Sequence, residues 1–202
     1  MKKRNKIVLL SSIIFLVLFA ILALTFRQPI ITLDKTINTL ITSIQNPFFI
    51  KLSAIIGFIF DIKMLTAITL MIVILLFFKN KKDSTLLAFG MLAGASLIYS
   101  LKEIIQRARP LNSLINETGF SFPSGHAVSS LIFFGLLYYI FKDKIKSKTL
   151  KIILLTFCIL FPFVIGFSRL YLNTHWITDI IGGFALGVFI LTASILIKEL
   201  FD

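Results

Sequence analysis

Ser168, Arg169, His175 and Asp179 stand together where two apolar runs meet, one ending at Phe167 and the other beginning at Ile180. On a helix, positions four apart share a face, so His175 and Asp179 could hydrogen-bond. A carboxylate on one imidazole nitrogen fixes the tautomer and leaves the other nitrogen free as a nucleophile. Arg169 lies six residues upstream, and its planar fork of donors suits phosphate oxygens. An interfacial histidine and a snorkelling arginine at a helix end account for the same residues. This stretch alone leaves both readings open.

Two further polar clusters interrupt the apolar pattern. Lys102 and Arg109-Pro110 follow one apolar run, and Pro123-Ser124-Gly125-His126 precedes the next. The chain has only 2 histidines, and both fall in these clusters. Lys102, Arg109 and Arg169 at one membrane depth would call for an anion as their partner. Pro123 stops a loop. Gly125 lets a ligand approach the backbone at a helix start, where N–H groups favour phosphate, and the Ser124 hydroxyl adds a donor. Pro-Ser-Gly is equally the pattern of an ordinary turn and N-cap. Three nearby cations would repel a divalent ion, so no metal site is expected, and no cofactor is called for.

The elements that must carry these residues are membrane helices. Of 202 residues 57% are hydrophobic and 22 are Phe, more apolar surface than a soluble domain of this size can hide. The single Cys158 sits in an apolar run, so no disulfide forms within the chain. Runs at 7–26, 62–78, 84–101, 126–141, 150–167 and 176–197 predict an all-α membrane protein with six transmembrane helices. The first run is too long for a signal-peptide core and has no obvious small-x-small cleavage site, so it is expected to remain as a helix. Residues 33–60 are less apolar and read as two helices in the membrane interface. The whole of 1–202 is expected to be one integral-membrane domain. Gly90-x3-Gly94 and Gly183-x3-Gly187 allow close helix contacts.

Six spans put both termini on one side, with the links at 79–83 and 142–151. That side carries 13 of the 21 basic residues, from Lys2, Lys3, Arg4 and Lys6 to Lys198; the other holds Arg27, Lys35, Lys51, Lys63, Lys102, Arg107, Arg109 and Arg169. The bias predicts a cell-membrane protein with cytoplasmic termini and all three polar clusters at the extracytoplasmic face. The net charge of +12 then reflects topology and contact with anionic lipid. Nucleic acid is excluded as a partner, because the charge is split among short links with no basic domain.

Lys102-x6-Arg109-Pro110, Pro123-Ser124-Gly125-His126 and Ser168-Arg169-x5-His175-x3-Asp179 together resemble the three-part signature of the type-2 phosphatidic acid phosphatase superfamily, which includes vanadium haloperoxidases. Among its members, the chain looks similar to bacterial membrane-embedded lipid phosphate phosphatases. The resemblance implies metal-independent hydrolysis through a phosphohistidine. Carried over by position, His175 is the nucleophile and Asp179 holds its ring. His126 is the general acid, then the base. Lys102, Arg109, Arg169, Ser124 and Gly125 bind the phosphate, while Pro110, Pro123 and Ser168 support the motifs.

A site at the outer interface with no covering domain suits a phosphate head on a lipid tail. The expected substrate is a membrane lipid phosphate: undecaprenyl diphosphate first, then phosphatidylglycerophosphate or phosphatidic acid. A lipid phosphotransferase using the same phosphohistidine remains open, as does a non-enzymatic anion or lipid transporter. The second has no need of a nucleophile–carboxylate pair, and no inverted repeat is visible.

Overall fold

Long runs of Leu, Ile and Phe in lipid must satisfy their own backbone N–H and C=O groups, and a helix does so within one segment. The computed structural model describes residues 3–25 and 31–201. Lys2, Phe26 and Arg27 lie outside the described residues, as do the side chains of Lys3 and Arg4. Eight helices follow in order: α1 (Lys3–Thr25), α2 (Thr32–Ser43), α3 (Pro47–Ile59), α4 (Ile62–Lys79), α5 (Lys81–Ile105), α6 (Gly125–Phe141), α7 (Lys148–Tyr171) and α8 (Ile177–Phe201). Among the described residues there is no strand.

Among the described residues five helices are long and apolar enough to cross a membrane: α1, α4, α5, α7 and α8. The sixth expected span is α6, which is apolar but has 17 residues. At 1.5 Å per residue it is about 26 Å long, at the short limit for a bilayer core. Leu70, Ile74, Leu75 and Phe78 on α4, and Phe157, Leu160 and Phe163 on α7, stand exposed. Such a continuous apolar surface suits lipid tails and not water. The chain is a multi-pass membrane protein.

Polar caps set the helix ends. The Asn80 side chain accepts from the N–H groups of Lys82 and Asp83 and alone separates α4 from α5. Asn46 caps α3 with Pro47 at its first position, and Ser147 caps α7. The long helices alternate in direction, and α6 is the central one, packed on α5, α7 and α8. Its Val128, Ile132 and Leu136 are fully buried. A Cβ on Gly183 of α8 would lie 3.0 Å from the Ser124 carbonyl oxygen, so the glycine lets α8 approach the start of α6. At one end of the bundle Asp83 binds Lys144 at 2.6 Å and Lys198 at 2.8 Å. The ends of α5 and α7 and the starts of α6 and α8 meet at the other.

Residues 33–60 do form two helices, and they cover that second end. The turn between α2 and α3 is pinned to the end of α7. Tyr171 accepts from Asn46 N–H at its hydroxyl and donates to the Ile44 carbonyl; Gln45 Nε2 donates to the Tyr171 carbonyl at 2.6 Å. The expected boundary of the fifth span needs correction. α7 continues past Phe167 to Tyr171, so Ser168 and Arg169 lie in its last turn and not in a junction after it.

Candidate active site

The site is built where α5, α6, α7 and α8 converge. Gln106 adopts a left-handed conformation (φ 51°) and ends α5, turning the chain into the 106–124 loop. Lys102 sits in the last turn of α5 and donates Nζ to the Phe120 carbonyl at 2.5 Å. Arg109 donates to the carbonyls of Gly119 at 3.0 Å and Thr174 at 2.9 Å, tying the loop to the α7–α8 junction. Pro110 and Pro123 are buried, and the Phe122–Pro123 bond is cis. Gly125 and His126 open α6, in a first turn whose N–H groups have no acceptor within the helix. Ser124 is fully buried, and its hydroxyl has no hydrogen-bond partner among the described residues.

His175 and Asp179 do meet, but not on one helix. His175 lies in the turn before α8, and Asp179 is the third residue of α8. Asp179 Oδ2 accepts from Trp176 N–H at 2.9 Å, a helix-cap bond from the third position back to the start. The same oxygen faces His175 Nδ1 at 3.4 Å. A proton on Nδ1 leaves Nε2 as an acceptor, and Arg109 Nη1 approaches that nitrogen at 3.3 Å. Cap geometry therefore delivers the contact that helical spacing suggested.

Lys102, Arg109, Gly125, His126 and His175 line one cavity of about 570 Å³. Arg169 is 1% exposed and reaches it through Glu117. Ser168 supports Arg169, accepting from its Nε at 3.2 Å while donating to the Ile165 carbonyl. Seven of the expected positions thus converge directly or through one contact, Ser168 stands behind Arg169, and Pro110, Pro123 and Ser124 shape the loop behind. Among the described residues no group of three His, Cys, Asp or Glu side chains is arranged to hold a metal ion.

Sequence reasoning missed three contributions. Glu117, from the loop, stands 3.3 Å from Arg109 and 3.5 Å from Arg169, among the cations. α3 supplies the Ser53 carbonyl to Arg169 Nη2 at 2.8 Å and the Gly57 carbonyl to His126 Nε2 at 3.2 Å. A Cβ on Gly57 would lie 1.7 Å from Arg169 Nη2, so only glycine leaves room for the guanidinium. Arg107 and Asp34 are buried behind Asp179. A lone acid in a polar loop and a glycine in an apolar helix carry no local signal for such roles.

The electrostatics favour a bound anion. Burial lowers the Arg109 guanidinium below its ordinary value, and Glu117 pulls the other way. Burial pushes the Glu117 carboxyl up, but the positive groups around it, the Arg109 and Arg169 guanidiniums among them, outweigh it and hold the group below its usual range. Burial, then Arg109 and Lys102, hold His175 well below its ordinary value. A neutral imidazole lining the cavity, with its Nε2 lone pair beside fixed cations, can attack an electrophilic phosphorus.

A family model described as the PAP2 superfamily matches residues 83–200. Phosphatidylglycerophosphatase B of Bacillus subtilis (strain 168) is 32% identical over 115 residues, covering 55% of this chain and 56% of that protein, so the chain matches little more than half of this relative's length. The crystal structure of a transmembrane PAP2 type phosphatidylglycerolphosphate phosphatase from Bacillus subtilis superposes with a TM-score of 0.87 at 25% identity, over 95% of this chain and 98% of that one. LpxE of Aquifex aeolicus, at 22% identity, shares the fold with a TM-score of 0.66, over 82% of this chain and 96% of that one.

Proposed function

The chain belongs to the PAP2 superfamily, and from that premise we propose that it is a lipid phosphatase, hydrolysing the phosphomonoester or terminal diphosphate bond of a membrane lipid through a phosphohistidine. One observation carries the lipid part of this reading. The cationic cavity shares Ile62, Ala95 and Ser129 with an apolar groove of about 140 Å³ between α4 and α5, lined onward by Leu65, Val73 and Met91. A phosphate head in the cavity would lay the first part of its tail in that groove.

In the proposed reaction, Lys102, Arg109, Arg169 and the first turn of α6 hold the non-bridging oxygens, and Glu117 gives way to them. His175 Nε2 attacks phosphorus as the P–O bond to the lipid breaks. His126 gives the leaving oxygen a proton. Asp179 accepts from Nδ1–H and stabilises the cationic phosphohistidine. His126 then takes a proton from water as the water attacks phosphorus. The P–N bond breaks, and inorganic phosphate leaves. No step requires a metal, because the cations supply the charge stabilisation on which phosphoryl transfer depends.

In the membrane, the proposed arrangement has six spans including α6, with α2 and α3 in the interface beside the site. Lys79, Lys81, Lys82, Lys142, Lys144, Lys146, Lys148 and Lys198 gather at the end of the bundle away from the cavity. This bias supports cytoplasmic termini and an extracytoplasmic site. An outer-leaflet diphosphate such as undecaprenyl diphosphate fits that side, and the similarity to phosphatidylglycerophosphatase B makes phosphatidylglycerophosphate an equal candidate.

Phosphate release by the detergent-purified protein, in EDTA, from these lipids, phosphatidic acid and a soluble sugar phosphate tests the reading. Release from a lipid phosphate and not from the sugar phosphate is expected. Equal rates on the sugar phosphate would remove the role given to the groove. Transfer to a lipid acceptor without free phosphate would replace hydrolase by phosphotransferase.

A further inference from the structure

We propose that Asp34 and Arg107 are positioning residues for phosphoryl transfer, acting through Asp179, so that α2 is a working part of the active site. The proposal rests on the phosphohistidine reading above.

Arg107 is 1% exposed and divides its fork between two carboxylates. Nη1 donates to Asp179 Oδ1 at 2.6 Å, and Nη2 donates to Asp34 Oδ2 at 2.5 Å. Thr178 fills the angle between them. Its hydroxyl accepts from Arg107 Nη1 at 2.6 Å and donates to Asp34 at 2.9 Å, while its N–H donates to Asp34 Oδ1 at 3.1 Å. Asp179 thus has one oxygen fixed by Arg107, and the other faces His175 and Trp176 N–H. Two fixed oxygens set the plane of the carboxylate and hence the aim of the His175 ring.

Charge explains why two acids are needed. A lone Arg107 against Asp179 would neutralise the carboxylate that must stabilise a cationic phosphohistidine. Asp34 balances Arg107, so the buried group behind His175 keeps a net negative charge. A buried ion triad is a poor way to gain stability alone, since taking charges out of water costs as much as their pairing returns. Docking of α2 also has other ties: Asn112 Nδ2 donates to Asn38 Oδ1 at 3.0 Å, and Asn173 Nδ2 to Thr42 Oγ1 at 3.0 Å. Asp34 also lies outside the residues matched by the family model.

The test compares Asp34→Asn, Arg107→Lys, Asp179→Asn, the Asp34→Asn/Asp179→Asn double variant and Thr42→Val. Asp34→Asn is expected to lower kcat on the order of tenfold to a hundredfold with KM unchanged. Arg107→Lys is also expected to fail, since one ammonium cannot serve both carboxylates in plane. The double variant should be no worse than Asp179→Asn alone, because Asp34 acts through that residue. Thr42→Val, which loosens α2 elsewhere, should keep normal kcat. Wild-type kcat in Asp34→Asn, multiplicative losses in the double variant, or an equal loss in Thr42→Val would each overturn the proposal. A wild type that releases phosphate from no compound would instead sink the hydrolytic reading. Orthovanadate binding then decides about Asp34: a Kd weakened about tenfold in Asp34→Asn supports positioning of His175, and an unchanged Kd overturns it.

Discussion

The Glu117 carboxylate lies 3.3 Å from the Arg109 guanidinium, inside the cavity that holds both histidines. A carboxylate there competes with any phosphate for the same donors. Glu117→Gln removes the competing charge and keeps the shape. The Ki of inorganic phosphate as an inhibitor should fall about tenfold, or about 1.4 kcal/mol. An unchanged or higher Ki would show that Glu117 does not compete with the bound anion.

Gly57 is a second test of the cage. Alanine there would drive a methyl group into the Arg169 guanidinium. Turnover of Gly57→Ala should drop about a hundredfold, as when one oxyanion donor is lost. Normal turnover, with the protein eluting and melting as wild type, would remove Arg169 from the phosphate cage.

These two residues mark the limit of what the sequence discloses. The signature positions were legible because His, Arg and Lys are conspicuous against an apolar chain, and their spacing is fixed by helix ends. The apolar runs disclosed the long helices, because length and composition alone decide whether a segment can span. The His175–Asp179 pairing was legible as a pair but not as a cap bond, since periodicity cannot tell a helix interior from the turn before it. Gly57, Asp34 and Glu117 act through contacts across long sequence separations, and nothing local to them carries that information.

The state of His175 gives a pH prediction. Burial, with Arg109 and Lys102, keeps its folded value well below the ordinary 6.5. Below about pH 6.5 the unfolded chain therefore binds a proton that the folded site refuses, and stability falls as pH falls. The loss continues until the depressed folded value is reached. The melting temperature of wild type in detergent should drop more steeply from pH 7 to pH 5 than that of His175→Gln. Parallel curves would contradict a buried neutral imidazole.

The membrane arrangement is open to labelling. In a Cys158→Ser background, a cysteine replacing Leu111 should react with an impermeant maleimide in intact cells. One replacing Lys146 should react only after permeabilisation. The reverse pattern would put the cavity in the cytoplasm and end the case for an outer-leaflet substrate.

The nucleophile is tested most directly by trapping. In His126→Ala, attack by His175 on p-nitrophenyl phosphate needs little acid help, because p-nitrophenolate is a good leaving group, while dephosphorylation lacks its base. A burst of p-nitrophenol should precede a slow phase, and the quenched protein should carry an acid-labile phosphate that peptide mapping assigns to His175. His175→Ala should show neither burst nor turnover. Turnover in His175→Ala, or phosphate mapped to another residue, would contradict the phosphohistidine mechanism.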